Sequence, residues 1–152
     1  MNNSLGILTD AFFIALLIWC AYTDIRTRAV SSTAVVLLLC LGLMHTVLIG
    51  LSGSVWWPYP AGLALAVPFF IVWLKGGMGA GDVKLIMGIG LYLGLAGTLI
   101  SFALMVPCMA ILLIRSWIRY KTLKTTIPFA PMLAFGAGTA VIAGYLYPFI
   151  LL

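Results

Sequence analysis

Six apolar segments, joined by short connections that are basic only at every second gap, limit this chain to very few architectures. They run roughly over 5–23, 30–51, 57–74, 83–93, 95–114 and 129–151. A helical bilayer span takes about 20 apolar residues for ~30 Å of hydrocarbon. The fourth and fifth segments abut, but Gly94-Leu95-Ala96-Gly97 offers a turn between them, and a single helix over both would overshoot the bilayer. With 64% of residues hydrophobic and 7% charged, no polar surface is left to cover a water-soluble domain. The chain reads as an all-α integral membrane protein, one domain over residues 1–152, built as a bundle of about six transmembrane helices.

The basic residues give the expected orientation. With the N-terminus outside, the inward connections hold Arg26 and Arg28, then Lys75, then Arg115, Arg119, Lys121 and Lys124, and Lys84 falls at the inner end of the fourth segment. The outward connections hold no Lys or Arg, as the positive-inside bias requires. The formal charge of +5 therefore marks a membrane side and not a nucleic-acid surface. Met1–Asp10 carries no Lys or Arg and no small-residue cleavage site follows, so the first segment is expected to stay in the mature protein.

The chain has three carboxylates, Asp10, Asp24 and Asp82, and no glutamate. Ionisable groups in membrane segments are costly and usually do chemistry or carry ions. In this topology Asp24 closes the first segment and Asp82 opens the fourth, so both arrive at the same membrane depth on the inner side. Asp10 lies about four helical turns away along the first segment and cannot join them. Two carboxylates that share a water can hydrolyse a peptide: like charges a few ångströms apart retain one proton, so one group acts as base and the other as acid. Asp82, at a helix start, is expected to be the base, and Asp24, at a helix end, to hold the proton. The simpler alternatives are an N-cap role for Asp82 and an interfacial pairing of Asp24 with Arg26 or Arg28.

Asp82 closes the run Gly76-Gly77-Met78-Gly79-Ala80-Gly81. A protease must bind its substrate extended, and Gly79 and Gly81 leave a bare backbone able to pair with an incoming strand. A plain re-entry turn is the alternative. Elsewhere the features read as architectural. Gly90-x-x-x-Gly94 and Ala134-x-x-x-Gly138 permit close helix contacts, and Pro68 and Pro107 are expected to kink their helices. Trp56, Trp57 and Tyr59 read as an outer interfacial belt, Trp117 and Tyr120 as an inner one, and 115–126 as a topogenic anchor at the lipid headgroups. His45 and the cysteines Cys20, Cys40 and Cys108 are expected to fill packed positions, with no metal site and no disulfide framework.

Three stretches resemble a known family. Gly79-Ala80-Gly81-Asp82-Val83-Lys84-Leu85 is similar to the Gly-x-Gly-Asp signature of the type IV prepilin peptidases. Tyr22-Thr23-Asp24-Ile25-Arg26 resembles their first aspartate motif, and Ile127-Pro128-Phe129-Ala130-Pro131 resembles the Pro-Phe-x-Pro stretch that opens their last helix. The resemblance runs from about Ala21 to the end of the chain. It implies a membrane aspartic endopeptidase of the bacterial inner membrane that removes the basic leader of prepilins or pseudopilins, after a glycine, on the cytoplasmic face. It implies Asp24 and Asp82 as the catalytic pair, and Gly79, Ala80, Gly81, Lys84, Pro128 and Phe129 as substrate-binding positions. It implies no cofactor, and as partners leader peptides and membrane lipid, with the chain working as a monomer or a homodimer. Longer members carry a cytoplasmic insertion with paired Cys-x-x-Cys motifs and N-methylate the product; here Arg28 leads straight to the second segment, so the compact form resembles the tight-adherence (Flp) type, with secretion-type and archaeal preflagellin enzymes as neighbours. The competing readings are a small proton-coupled transporter or assembly scaffold, and a presenilin-type protease, whose Pro-Ala-Leu motif is absent here.

Overall fold

A computed structural model describes residues 3–120 and 129–150. Every regular element among them is helical: α1 (Asn3–Thr27), α2 (Ser32–Leu51), α3 (Pro58–Gly62), a 3₁₀ turn over Leu63–Ala66, α4 (Val67–Leu74), α5 (Ala80–Tyr120) and α6 (Ala130–Ile150). Three stretches are long and apolar enough to cross a bilayer, Leu5–Thr27, Ser32–Leu51 and Ala80–Ile111; Pro58–Leu74 and Ala130–Tyr145 are shorter apolar helices. The protein is thus an all-helical, membrane-type fold.

The 41-residue α5 is not one rod, because Gly94 has φ 70° and ψ −176° inside it. The contacts on either side show a reversal. Before Gly94, Gly90 packs on Gly62, and Tyr92 hydrogen-bonds to Asp10. Tyr145, near the end of α6, also hydrogen-bonds to Asp10, so residues 10, 92 and 145 share one level. After Gly94, Ser101 packs on Gly136, a full nine residues from Tyr145 toward the start of α6, and Phe102 meets Phe69 with ring centroids 5.4 Å apart. The chain therefore turns back at Gly94 into two arms, 80–93 and 95–120. A left-handed φ is open to glycine without penalty, so the turn expected at 94–97 sits on its first residue.

The first arm of α5 is the axle of the bundle. Leu85, Ile86, Ile89 and Tyr92 are buried with Phe13 and Leu17 of α1, Leu38 of α2 and Leu133 of α6 in one core, and Val83 and Leu91 of the same arm are buried as well. In lipid, helices associate by close packing and not by escape from water, so small residues set the crossings. A methyl added at Gly62 would overlap the Gly90 carbonyl oxygen, and one at Gly42 would lie 2.8 Å from Leu91 Cβ. Beside the second crossing, Thr46 Oγ1 reaches the Leu91 carbonyl at 3.2 Å.

Several expectations are corrected. The small pair Ala134/Gly138 does not make the α6 crossing: space around Gly138 is open, and Gly136 packs on Ser101 instead. Pro107 sits inside α5, whose non-helical backbone is at Gly94; at Pro68 the expected break is present, just before it, as the 3₁₀ turn Leu63–Ala66. Of the cysteines, Cys20 is buried but Cys40 is exposed, because it faces away from the core on α2. Of the expected anchor 115–126, residues 115–120 continue α5 and 121–126 lie outside the described residues.

Candidate active site

Asp24 stands in the last turn of α1, which runs on to Thr27, a few residues beyond the expected end. The helix closes on Arg28, whose φ of 53° is left-handed, and the Arg28 N–H donates to the Asp24 carbonyl at 2.8 Å. Thr23 ties down the connection that follows: its hydroxyl oxygen accepts the Ser31 N–H at 3.4 Å. This short, pinned link brings Ala29, Val30 and Ser32 back alongside the end of α1.

Asp24 is buried, at 8% exposure, and its Oδ2 accepts the backbone N–H of Ala130 at 3.2 Å. Ala130 is the first residue of α6, so the carboxylate at the C-terminal end of α1 also meets the N-terminal end of another helix. Asp24 therefore lies between the two opposite ends of helix dipoles. Arg26 is turned elsewhere: Nη1 donates to the Tyr22 hydroxyl at 2.8 Å, and the guanidinium lies 5.9 Å from that ring centre. Among the described residues neither Asp24 nor Asp82 is held in an ion pair, so the pairing of Asp24 with Arg26 or Arg28 does not form.

Asp82 lies in the first turn of α5 and not at its cap, because the helix already starts at Ala80. The glycine run reaches it through a left-handed Gly76, φ 76°. Gly79 sits under the carboxylate: a methyl there would lie 3.2 Å from Asp82 Oδ2. Gly81 sits against the α1–α2 link, with room for no side chain: a methyl there would lie 2.9 Å from Val30 Cβ. The missing side chain at Gly81 lets the start of α5 close on the end of α1.

Both aspartates line one cavity of about 290 Å³. Gly79, Ala80, Gly81 and Lys84 line it as well, so six of the eight candidate positions converge. Phe129 does not line it; it is partly buried, packed on the core with its ring 6.4 Å from that of Phe69. Pro128 lies outside the described residues. Arg28 and Ser32 also face the cavity, and neither was singled out from the sequence as a site residue. The proximity of Arg28 to Asp24 was a clue for the first; nothing in the sequence marks Ser32. Two carboxyl groups, two cations and a backbone that carries only the Ala80 methyl over 79–81 therefore face one small cavity.

A family model described as the type IV leader peptidase family matches residues 11–114, a stretch that holds both aspartates and the whole glycine run. The chain belongs to the type IV leader peptidase family. Membership makes it a peptidase of leader peptides in a membrane setting, as its apolar helices require. Neither the curated proteins nor the solved structures give a match to this chain. Within this type IV leader peptidase the matched region ends before α6, so the Ala130 N–H on Asp24 is a contribution of the chain outside the match.

Proposed function

We propose that this protein is an aspartic endopeptidase that removes the leader of type IV prepilins, of the Flp kind, at the cytoplasmic face of a bacterial inner membrane. The observation that carries the reading is the convergence of Asp24 and Asp82 on one cavity beside the Gly79-Ala80-Gly81 backbone. Six passes with the N-terminus outside put that cavity on the cytoplasmic side, where all the Lys and Arg residues gather.

The chemistry follows from the shared site. Two carboxyl groups in one small cavity hold a single proton between them. The ionised member takes a proton from a water molecule, whose oxygen attacks the scissile carbonyl carbon. The neutral member gives its proton to the carbonyl oxygen, and a gem-diol forms. Return of a proton to the amide nitrogen breaks the C–N bond and frees the carboxylate and amine. Asp24 Oδ2 is engaged by Ala130, which leaves Oδ1 for the water. The first N–H groups of α5, at Ala80 and Gly81, have no acceptor within their helix and suit an extended substrate strand.

The test is incubation of the purified protein with a candidate prepilin and location of the cut by mass spectrometry. A single cut after glycine at the leader boundary, lost in Asp24→Asn and in Asp82→Asn, is expected. Wild-type cleavage by either variant would remove the aspartic mechanism. Reporter fusions at the N-terminus and in 75–79 test the orientation; opposite sidedness is the expected result.

A further inference from the structure

A second, larger cavity of about 510 Å³ lies at the other end of the bundle, ~21 Å along α1 from Asp24 by helical rise, and the peptidase reading makes no use of it. It gathers the third carboxylate, Asp10, and the lone imidazole, His45, with Tyr59, Tyr92 and Tyr145. The Tyr92 hydroxyl donates to Asp10 Oδ1 at 2.5 Å and the Tyr145 hydroxyl to Oδ2, so both tyrosines hold Asp10 as an acceptor. The His45 ring stacks on Tyr92 with centroids 4.4 Å apart and meets Tyr59 edge-on at 5.4 Å. Its Nδ1 is buried and has no hydrogen-bond partner.

Among the described residues, no Lys or Arg lines this cavity. A partly buried carboxylate without a counter-ion calls for a cation, and the faces of tyrosine rings attract one. A metal ion would need several free oxygen ligands, and no cluster of three or more His, Cys, Asp or Glu groups occurs among the described residues. An ammonium needs only acceptors and rings, which Asp10, His45 Nδ1 and the tyrosines supply. The rest of the lining is apolar and small: Gly97 and Ile100 on the second arm of α5, Ala140, Val141 and Gly144 on α6. Ile100 and Tyr145 are each half exposed at this edge, and a methyl at Gly144 would meet nothing within 4 Å. The cleft is therefore open sideways, where acyl chains lie, and its volume exceeds what a free amine needs.

We propose that this cavity binds a lipid with a primary-amine headgroup, its ammonium held by Asp10 and the surrounding rings, its chain lying along the cleft between 97–100 and 140–144. The site stands apart from the peptidase centre and is tested without any cleavage assay.

The experiment is native mass spectrometry of the delipidated protein titrated with phosphatidylethanolamine, with phosphatidylglycerol, and with chain-free glycerophosphoethanolamine. Wild type should retain phosphatidylethanolamine at least about tenfold better than either of the others. Asp10→Asn should lose that preference, and Gly144→Phe, which fills the cleft from an open position, should lose the retention itself. Circular dichroism on each variant confirms that it is folded. Equal retention of phosphatidylglycerol, headgroup binding as tight without chains, or unchanged selectivity in both folded variants would each overturn the proposal.

Discussion

Asp24 Oδ2 accepts the backbone N–H of Ala130 at 3.2 Å, a bond between residues 106 apart that joins the end of α1 to the start of α6. The first residue of a helix tolerates proline, whose ring carries no N–H. Ala130→Pro therefore deletes the donor and leaves both aspartates in the chain. Its kcat for leader cleavage should fall about tenfold, the scale of one hydrogen bond to a charged group. Steady-state kinetics with a purified prepilin would show it, with KM moving far less than kcat.

The two aspartates should fail together. Replacing either by Asn should slow cleavage by about 10²–10⁴-fold, since each removes a proton-transfer group. The Asp24→Asn/Asp82→Asn double variant should be no slower than the worse single one, because the pair acts as a unit. Single-turnover rates on the same prepilin measure this; multiplied defects would mean two independent roles.

Gly81 meets Val30 where the start of α5 closes on the α1–α2 link. Gly81→Ala should push the two apart and cut activity at least about tenfold, at a stability cost of ~1–3 kcal/mol. Val30→Gly, which removes the opposing Cβ, should restore a large part of that activity in the double variant. Additive losses in this cycle would show that the contact does not position the site.

Gly62 and Gly90 touch backbone to backbone, and a methyl on either would overlap the carbonyl oxygen of the other, so neither can take a side chain. Gly62→Ala should destabilise the protein by at least about 2 kcal/mol. Gly138→Ala, in open space on α6, should be neutral or stabilising by up to ~1 kcal/mol, the helix-propensity difference. Thermal unfolding in detergent separates the two.

How much of this was legible depended on whether a feature is local. The turn at Gly94 and a shared level for Asp24 and Asp82 could be read from segment lengths and charge, since a helix fixes height at a constant rise per residue; that both line one cavity could not. The exact ends were less legible: α1 runs past Asp24, and α5 starts before Asp82, which moves it from the cap into the first turn. Phe129 sits within a stretch that resembles a family motif, yet its ring packs on the core while its neighbour Ala130 serves the site through a backbone group that no side-chain pattern can mark. His45 was expected to be packing; it does pack, on Tyr92, but against a cavity that also holds Asp10.

The sequence by itself determined that this is a helical membrane protein with two carboxylates at one end and one at the other. Those properties follow from apolar run length and from counting residues along a helix. Tertiary structure decided which face each helix turns inward, because in lipid that choice rests on close contacts between distant residues, such as Gly62 on Gly90 and Gly42 on Leu91. Rotation of the helices about their axes, and not their depth, is what put Ala130 on Asp24 and drew Asp10, His45 and three tyrosines around a second cavity.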